Sequence, residues 1–553
     1  MSSSFVVVAK RASIALVAAL GFLPPTPARA QADPQTDPAP SAGAQPEAPA
    51  PDKPVEPPLN RLTALGVPTP FRPMARIGYF VIGPTGPGYY SLRDRVLGES
   101  RSGPPKTPYP PVLSDGYSFY DADYRYLDSP DSGQTDFLTG LKRMRVGDDW
   151  TLSVGGEERV RFMDDNGGYA RFTGTTNVYE LTRSRVYGDL WYRDRFRLYA
   201  EVQDSRIAGN SLPPLGNDVD HADLLNLFVD ARLFSAGDRP VYARVGRQEL
   251  YFGSQRLIGP SDFPNVRRTF QGVRTFWLGE DWTVDAFWVQ PVLMRATTAD
   301  PPDHNQNFSG AWATYRPRDG QAADFYYLNL DNRNPGVAVG RNGAVGGYNV
   351  STIGTRYAGE SNHYLWDFEA MYQFGSWSNQ VISAGAVTSG VGYAFAGLPF
   401  NPQFWIYNDW ASGNQNPGRG NTHGTFNQLF PWGHTYLGYL DLVGRSNIDD
   451  LSVQFACYPT KWILSTLQYH VFNLDSPRDG LYNASGTVIR SDPTGRAGTF
   501  VGQEIDFTTN FHLSLHQDLF VGYSILFAGS FIHNTPGPQA SPSLFYIQYS
   551  FKW

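Results

Sequence analysis

Arginine at strand spacing is the feature of this 553-residue chain with the most chemical content. Arg159-Val160-Arg161 and Arg183-Ser184-Arg185 each put two guanidinium groups two residues apart, and Arg197, Arg244, Arg274 and Arg356 stand singly in similar surroundings. A guanidinium is always charged, cannot act as a general base, and offers five N–H donors in a planar fork that fits a carboxylate. The chemistry these residues can do is therefore recognition of anions. Asp189, Glu201, Asp230 and Glu249 lie in the same stretches. They give the arginines internal partners, and a carboxylate that fixes one edge of a guanidinium leaves its other donors for a passing anion.

Catalytic groupings are not apparent. His512 and His516 are four apart, a metal-binding spacing on a helix, but Leu513-Ser514-Leu515 between them reads as a strand end. There is no GxSxG nucleophile turn and no GxxxxGK[ST] phosphate loop, so any movement of solute is passive. Cys457, in LSVQFACYPTKW, reads as a packed or lipid-facing strand residue, and His470 as a lumen or rim side chain. The Asn/Gly-rich run at 412–424 lacks the carboxylates of a calcium loop. No cofactor or metal is called for.

The elements that must position the arginines alternate at period two. Phe196, Leu198, Ala200 and Val202 interleave with Arg197, Tyr199, Glu201 and Gln203; Tyr364, Trp366, Phe368, Ala370, Tyr372 and Phe374 interleave with Asp367, Glu369 and Gln373. Such runs have the nine to eleven residues or so that a tilted strand needs to cross a bilayer. The chain ends Phe545, Ile547, Tyr549, Phe551, Trp553 with polar residues between, an amphipathic strand of the kind read by the outer-membrane barrel assembly machinery. From residue 142 onward there is room for about 16 to 18 strands and their connections. The predicted fold class is thus all-β, a transmembrane antiparallel barrel over 142–553. A barrel of that width is too broad for its own side chains to fill.

Composition agrees. Charged residues are 18% and aromatics 14%, with 56 glycines, which excludes coiled coils and helical repeats. A net charge of -7 gives no reason to expect nucleic acid, and one cysteine permits no internal disulfide. Lys10, Arg11, the apolar run 12–23 and Ala28-Arg29-Ala30 read as a signal peptide over 1–30. The Pro/Ala-rich 31–58 reads as a disordered periplasmic linker. Residues 59–141, with many Pro-Gly turns and no sustained period, read as a lead-in to the barrel, with a pore plug as the alternative.

An arginine at the bilayer midplane on the lipid face costs about 2–4 kcal/mol, so mid-strand arginines must face the lumen. This sends Arg159, Arg161, Arg183, Arg185, Arg197, Arg232, Arg244, Arg274 and Arg356 inward and predicts a strongly cationic wall. One strand breaks the pattern: if Val241, Ala243 and Val245 face lipid, strict alternation turns Arg247 and Glu249 outward as well. A β-bulge at Gly246 is expected to return both to the lumen.

Four ordered runs then resemble the alginate export family of outer-membrane proteins: GGEERVRF from Gly155 to Phe162; VGRQELYFGSQRLIGPSDFPNVRRTFQGVR from Val245 to Arg274; YNDWASGNQNPGRGNTHGTFNQLFPWGHTYLGYLDLVG from Tyr407 to Gly444; and GQEID from Gly502 to Asp506 with the final strand. The resemblance implies a monomeric barrel of about 18 strands. Its arginine-lined pore, with a few acidic residues, would pass a polyuronate outward, served by a periplasmic export scaffold. By motif position it makes Arg159, Arg161, Arg247, Arg256 and Arg274 pore-lining candidates; Arg183, Arg185, Arg197, Arg244 and Arg356 rest on the face argument, with Asp189, Glu201 and Glu249 as supporting acids. Glu158 departs from the family's apolar residue at that position. Uptake of small acidic sugars through a general or anion-selective porin is the alternative within transport, and an outer-membrane barrel hydrolase the alternative outside it.

Overall fold

The computed structural model describes residues 78–109, 118–128 and 137–553. The expected signal peptide, the 31–58 linker and positions 59–77, 110–117 and 129–136 of the lead-in lie outside the described residues.

Long apolar–polar alternation forms eighteen strands that close one antiparallel barrel. In chain order they are β1 (Trp150–Asn166), β2 (Thr176–Tyr192), β3 (Phe196–Ala208), β4 (Asp220–Ala236), β5 (Arg239–Gln248), β6 (Phe270–Leu278), β7 (Trp282–Pro291), β8 (Gln306–Tyr315) and β9 (Gln321–Asn332). The second half holds β10 (Tyr348–Ser361), β11 (Tyr364–Trp377), β12 (Gln380–Ala394), β13 (Gln403–Ala411), β14 (Ile448–Thr460), β15 (Ile463–Asn473), β16 (Phe500–His512), β17 (Gln517–Ala528) and β18 (Ser543–Lys552). Each strand pairs with the next, and β18 closes on β1 with Lys552 opposite Glu157. No edge is left to pair with another chain. No helix among the described residues is long and apolar enough to cross a membrane. The strands do the crossing.

Connections at one end are short, such as 193–195, 237–238 and 461–462, and at the other long, such as 249–269, 412–447 and 474–499. Barrels of this type put short turns in the periplasm and long loops outside. Burial follows the alternation: Val160, Phe162, Leu198 and Val202 are exposed while Arg159, Arg161, Arg197 and Glu201 between them are buried. Aromatic pairs ring the short-turn end, including Trp150–Tyr192 (4.9 Å between ring centres), Trp282–Tyr315 (4.8 Å) and Tyr364–Tyr393 (5.1 Å). Rings with one apolar and one wettable edge suit the membrane–water boundary.

The lumen is filled by chain. Connections 249–269 and 412–447 fold inward and meet as a short parallel ladder, in which Phe430 N–H donates to Leu257 O (2.9 Å) and Gly259 N–H to Phe430 O (2.9 Å). They bury Leu250, Phe252, Ile258, Phe426, Trp432, Leu440 and Val443 against the inner wall. From the N-terminal side, Tyr79 and Phe80 join the same cluster. Tyr79 N–H donates to the Tyr407 hydroxyl (3.1 Å), Trp405 Nε1 donates to Phe80 O (3.1 Å), and the Gln403 amide brackets Ile82. The chain then runs to the short-turn end, where Lys461 donates to the carbonyls of Gly86 and Pro87. Phe119 and Tyr120 pack on Tyr187, Tyr199 and Phe228 of β2–β4. Lys142 Nζ donates to Val154 O (2.6 Å), the Tyr187 hydroxyl (3.0 Å) and Trp553 O (3.0 Å), tying the last residue to the first strands.

Candidate functional site: the charged lumen

On β1 and β2 the two-residue spacing stacks Arg159, Arg161, Arg183 and Arg185 on the inner wall, all but shut off from solvent. Glu157, one inward step from Arg159, receives Arg183 Nη2 (2.9 Å) and Arg185 Nη1 (3.0 Å); Arg185 also pairs with Glu201 (2.7 Å). Arg159 and Arg161 turn to the inward loop instead. Arg159 donates to the carbonyls of Asp262 and Pro264 (both 2.9 Å). Arg161 donates to Phe263 O (2.6 Å) and lies 3.9 Å from the centre of the Phe263 ring. Asp262 takes Arg183 (2.9 Å) and Arg267. Burial pushes the Asp262 carboxyl up, but Arg183, Arg267 and Arg159 outweigh it and hold it well below the usual carboxylate range.

A second group holds Arg197, bidentate on Asp189 (2.7 and 2.9 Å), and Arg244, bidentate on Asp230 (2.7 and 2.9 Å). Both lie over aromatic faces, Arg244 at 3.7 Å from the Phe228 ring centre. The third group spans the lumen. Arg256, on the 249–269 connection rather than a strand, reaches Asp367 (2.7 Å) and Glu369 (3.0 Å) of β11, and Arg356 of β10 takes the other Asp367 oxygen (2.7 Å). Arg274, on β6 directly across from Arg244, pairs with Asp285 of β7 (2.8 Å). Three donors in this array, the Nε groups of Arg159, Arg183 and Arg256, are buried with no acceptor.

Several expectations need correction. The wall is not strongly cationic, because nearly every guanidinium is answered by a carboxylate. No bulge occurs at Gly246: β4, β5 and β6 stay in register through Gly246 and Arg247. The irregularities fall on β4: Leu225 has no partner on β3, the register shifts again between Asp220 and Asp223, and it shifts between Arg232 and Phe234. Arg247 shares its cross-strand row with Leu227 and Gln271, both exposed, so it is not on the lumen face. Its guanidinium climbs the rim to Leu224 O (2.8 Å) and Asp300 O. Glu249 does reach the interior, by a different route: the strand ends at Gln248, and the departing chain buries Glu249 against Arg267 and Ser118. Arg232 sits exposed at the turn end, paired with Asp194.

Residues the face argument missed lie mostly in the inward loops. Arg267 sits within the Val245–Arg274 run, and Arg445, just past the Tyr407–Gly444 run, pairs with Asp409 (2.5 Å). Asp262 shares its connection with Arg267, and Asp409, on β13, is met by Arg445 from the connection that follows it. Glu157 was open to the same alternation that placed Arg159. His470 is buried against Asp450 (2.8 Å), and His512 pairs with Asp518 (2.6 Å) while His516 faces Lys552 O (2.7 Å), so the two histidines share no centre.

A family model described as alginate export matches residues 150–546, which spans the whole barrel but its last strand's end. The chain belongs to the alginate export family. Family and fold are those of an outer-membrane channel. Among solved structures the alginate-export barrel is similar to Pseudomonas aeruginosa OccK11 (OpdR), at 11% identity and a TM-score of 0.46 over 75% of this chain and 99% of that one. It is also similar to Pseudomonas aeruginosa OpdQ (11%, TM-score 0.49, 73% and 99%) and Acinetobacter baumannii OccAB2 (11%, 0.48, 73% and 98%). No curated protein matches this alginate-export chain significantly by sequence.

Proposed function

We propose that this barrel is a passive channel that exports an acidic, alginate-like polysaccharide as a monomer, with Arg159, Arg161, Arg183, Arg185, Arg197, Arg244, Arg256, Arg274 and Arg356 as the residues it meets. The observation that carries the reading is the set of inward guanidiniums on β1, β2, β3, β5 and β6, together with Arg256 of the 249–269 connection and Arg356 of β10 across the lumen, with unpartnered Nε donors left in it. Asp189, Glu201 and Glu249 hold the array in place. Arg247, on the rim, is outside it. In this conformation the inward loops and Tyr79–Ile82 occupy the path, so passage requires them to yield. Binding along such a path must be weak and repeated, or the polymer would not leave. The other partners on this reading are outer-membrane lipid, the barrel assembly machinery and a periplasmic export scaffold.

Single-channel recording tests it. Replacing Arg159, Arg161 and Arg274 with Glu is expected to lower anion selectivity, and unchanged selectivity would remove these residues from the path. Liposome flux of uronate oligomers against neutral sugars of equal size separates this reading from a general porin: equal rates would favour the porin, and uptake-directed flux of small acidic sugars alone would favour the uptake alternative.

A further inference from the structure

At the long-loop rim, three carboxylates converge outside the charged lumen. Asp220 and Asp223 open β4, and Asp300 comes from the connection 292–305 that arches over from β7; one oxygen of each lies within 4.8 Å of the others. Backbone amides fix two of them. Asp223 accepts from Leu224 N–H (2.7 Å) and Asp300 N–H (2.6 Å), and Asp300 accepts from Arg295 N–H (2.6 Å). A further backbone bond, His221 N–H to Ala296 O (3.2 Å), pins the connection to β4. Of the neighbouring cations, Arg247 has its Nη1 3.7 Å from Asp223 Oδ2, while its hydrogen bonds go to the carbonyls of Leu224 and Asp300. Arg295, on the arching connection, also acts on Asp300, and Asp204 adds a further negative charge near Asp220.

Asp220 adds an independent observation. Its side chain is only 4% exposed, and its Oδ1 accepts no hydrogen bond. A carboxylate oxygen withheld from both water and donors, beside two like charges, is costly unless something positive meets it.

We propose that Asp220, Asp223 and Asp300 bind one divalent cation of the calcium type, which clamps the 292–305 connection onto the start of β4. All three ligands are oxygens, the donor set of a hard cation. Two oxygens bound to one Ca²⁺ at about 2.3–2.6 Å stand up to about 5 Å apart, which accommodates the observed separation; Mg²⁺ at about 2.0–2.1 Å requires tighter closure and octahedral order. Waters would complete the shell. The clamp is independent of what solute the barrel passes.

The test uses the full chain in detergent, stripped with EDTA and titrated with CaCl₂ by calorimetry and by thermal melting. The expected result is saturable binding of one Ca²⁺ with a dissociation constant of about 10⁻⁴–10⁻³ M or tighter, a rise in melting temperature that follows occupancy, and a weaker response to MgCl₂. Asp220→Asn should weaken Ca²⁺ binding at least tenfold. In EDTA the same variant should melt no lower than the parent, because it removes an unanswered charge without changing shape. Asp300→Asn should likewise lose the calcium response. Absence of a calcium heat and melting shift in the parent, or unaltered affinity in Asp220→Asn, would overturn the proposal. So would an EDTA melt of Asp220→Asn well below the parent, since Asp220 would then be serving the fold as an anion.

Discussion

Replacing Arg161 with Met tests what keeps the 249–269 connection inside the barrel. Met preserves much of the side-chain length, and Arg161 has no carboxylate in ion-pair reach among the described residues, so the change orphans no buried anion. It removes one charge-assisted hydrogen bond to Phe263 O, at 2.6 Å, worth about 1.5–3 kcal/mol. It also removes a guanidinium 3.9 Å from the Phe263 ring centre, worth about 2 kcal/mol when desolvated. The Met sulfur against the same ring returns about 0.3–1.5 kcal/mol. The loop thus loses about 3 kcal/mol of docking, which multiplies its undocked population by about a hundred. In planar bilayers this is expected as longer and more frequent high-conductance openings, with the heat-modifiable folded band on a denaturing gel unchanged. If current traces match the parent while the barrel stays folded, the loop is not held by these contacts and the reasoning fails.

Other perturbations probe different parts of the structure. Asp367→Leu leaves Arg256 and Arg356 facing each other without their shared carboxylate and should cost about 3–5 kcal/mol, read as a lower urea midpoint for unfolding. Gly246→Ala is expected to destabilise the barrel by about 1–3 kcal/mol, because φ there is +134° and an added Cβ would sit 2.2 Å from Leu227 O; an unshifted melting temperature would contradict that close approach. His423, on the 412–447 connection and stacked on Trp377 at 4.1 Å, is pushed down to about 4 by burial, partly offset by Asp479. A histidine kept neutral in the fold contributes stability that is complete above about pH 6.5 and declines as pH falls toward 4. Hydrogen exchange in 412–447 should therefore quicken over that window in the parent and much less in His423→Phe.

Local sequence carried the wall of this molecule further than its contents. Alternation alone puts Phe196, Leu198 and Val202 on the lipid face and Arg197 and Glu201 opposite, because a strand's side chains can point only two ways. The same rule held at Arg247, which alternation turns outward, and the bulge expected at the glycine to override it is absent. Gly246 instead lets two backbones close up without breaking register, and the irregularity lies on the neighbouring strand at Leu225. The filling of the lumen was hidden for another reason. Arg159 meets Pro264 across 105 residues of chain and Tyr79 meets Tyr407 across 328, and no short-range pattern encodes such meetings. Charge divided the same way: Asp189 and Asp230, the partners of Arg197 and Arg244, lie on neighbouring strands and were legible, whereas Arg256, on a connection, meets Asp367 of a distant strand.

The near-neutral pairing of that interior bears on how an anionic chain would travel. A uronate reaching Arg183 or Arg256 cannot simply add to an exposed charge; it has to substitute for Glu157, Asp262 or Asp367, one carboxylate for another. Exchange of like for like has almost no net driving force, so no station along the path becomes a resting place. Selectivity would then reside in who can compete for the guanidiniums, and speed in how fast the protein's own acids return.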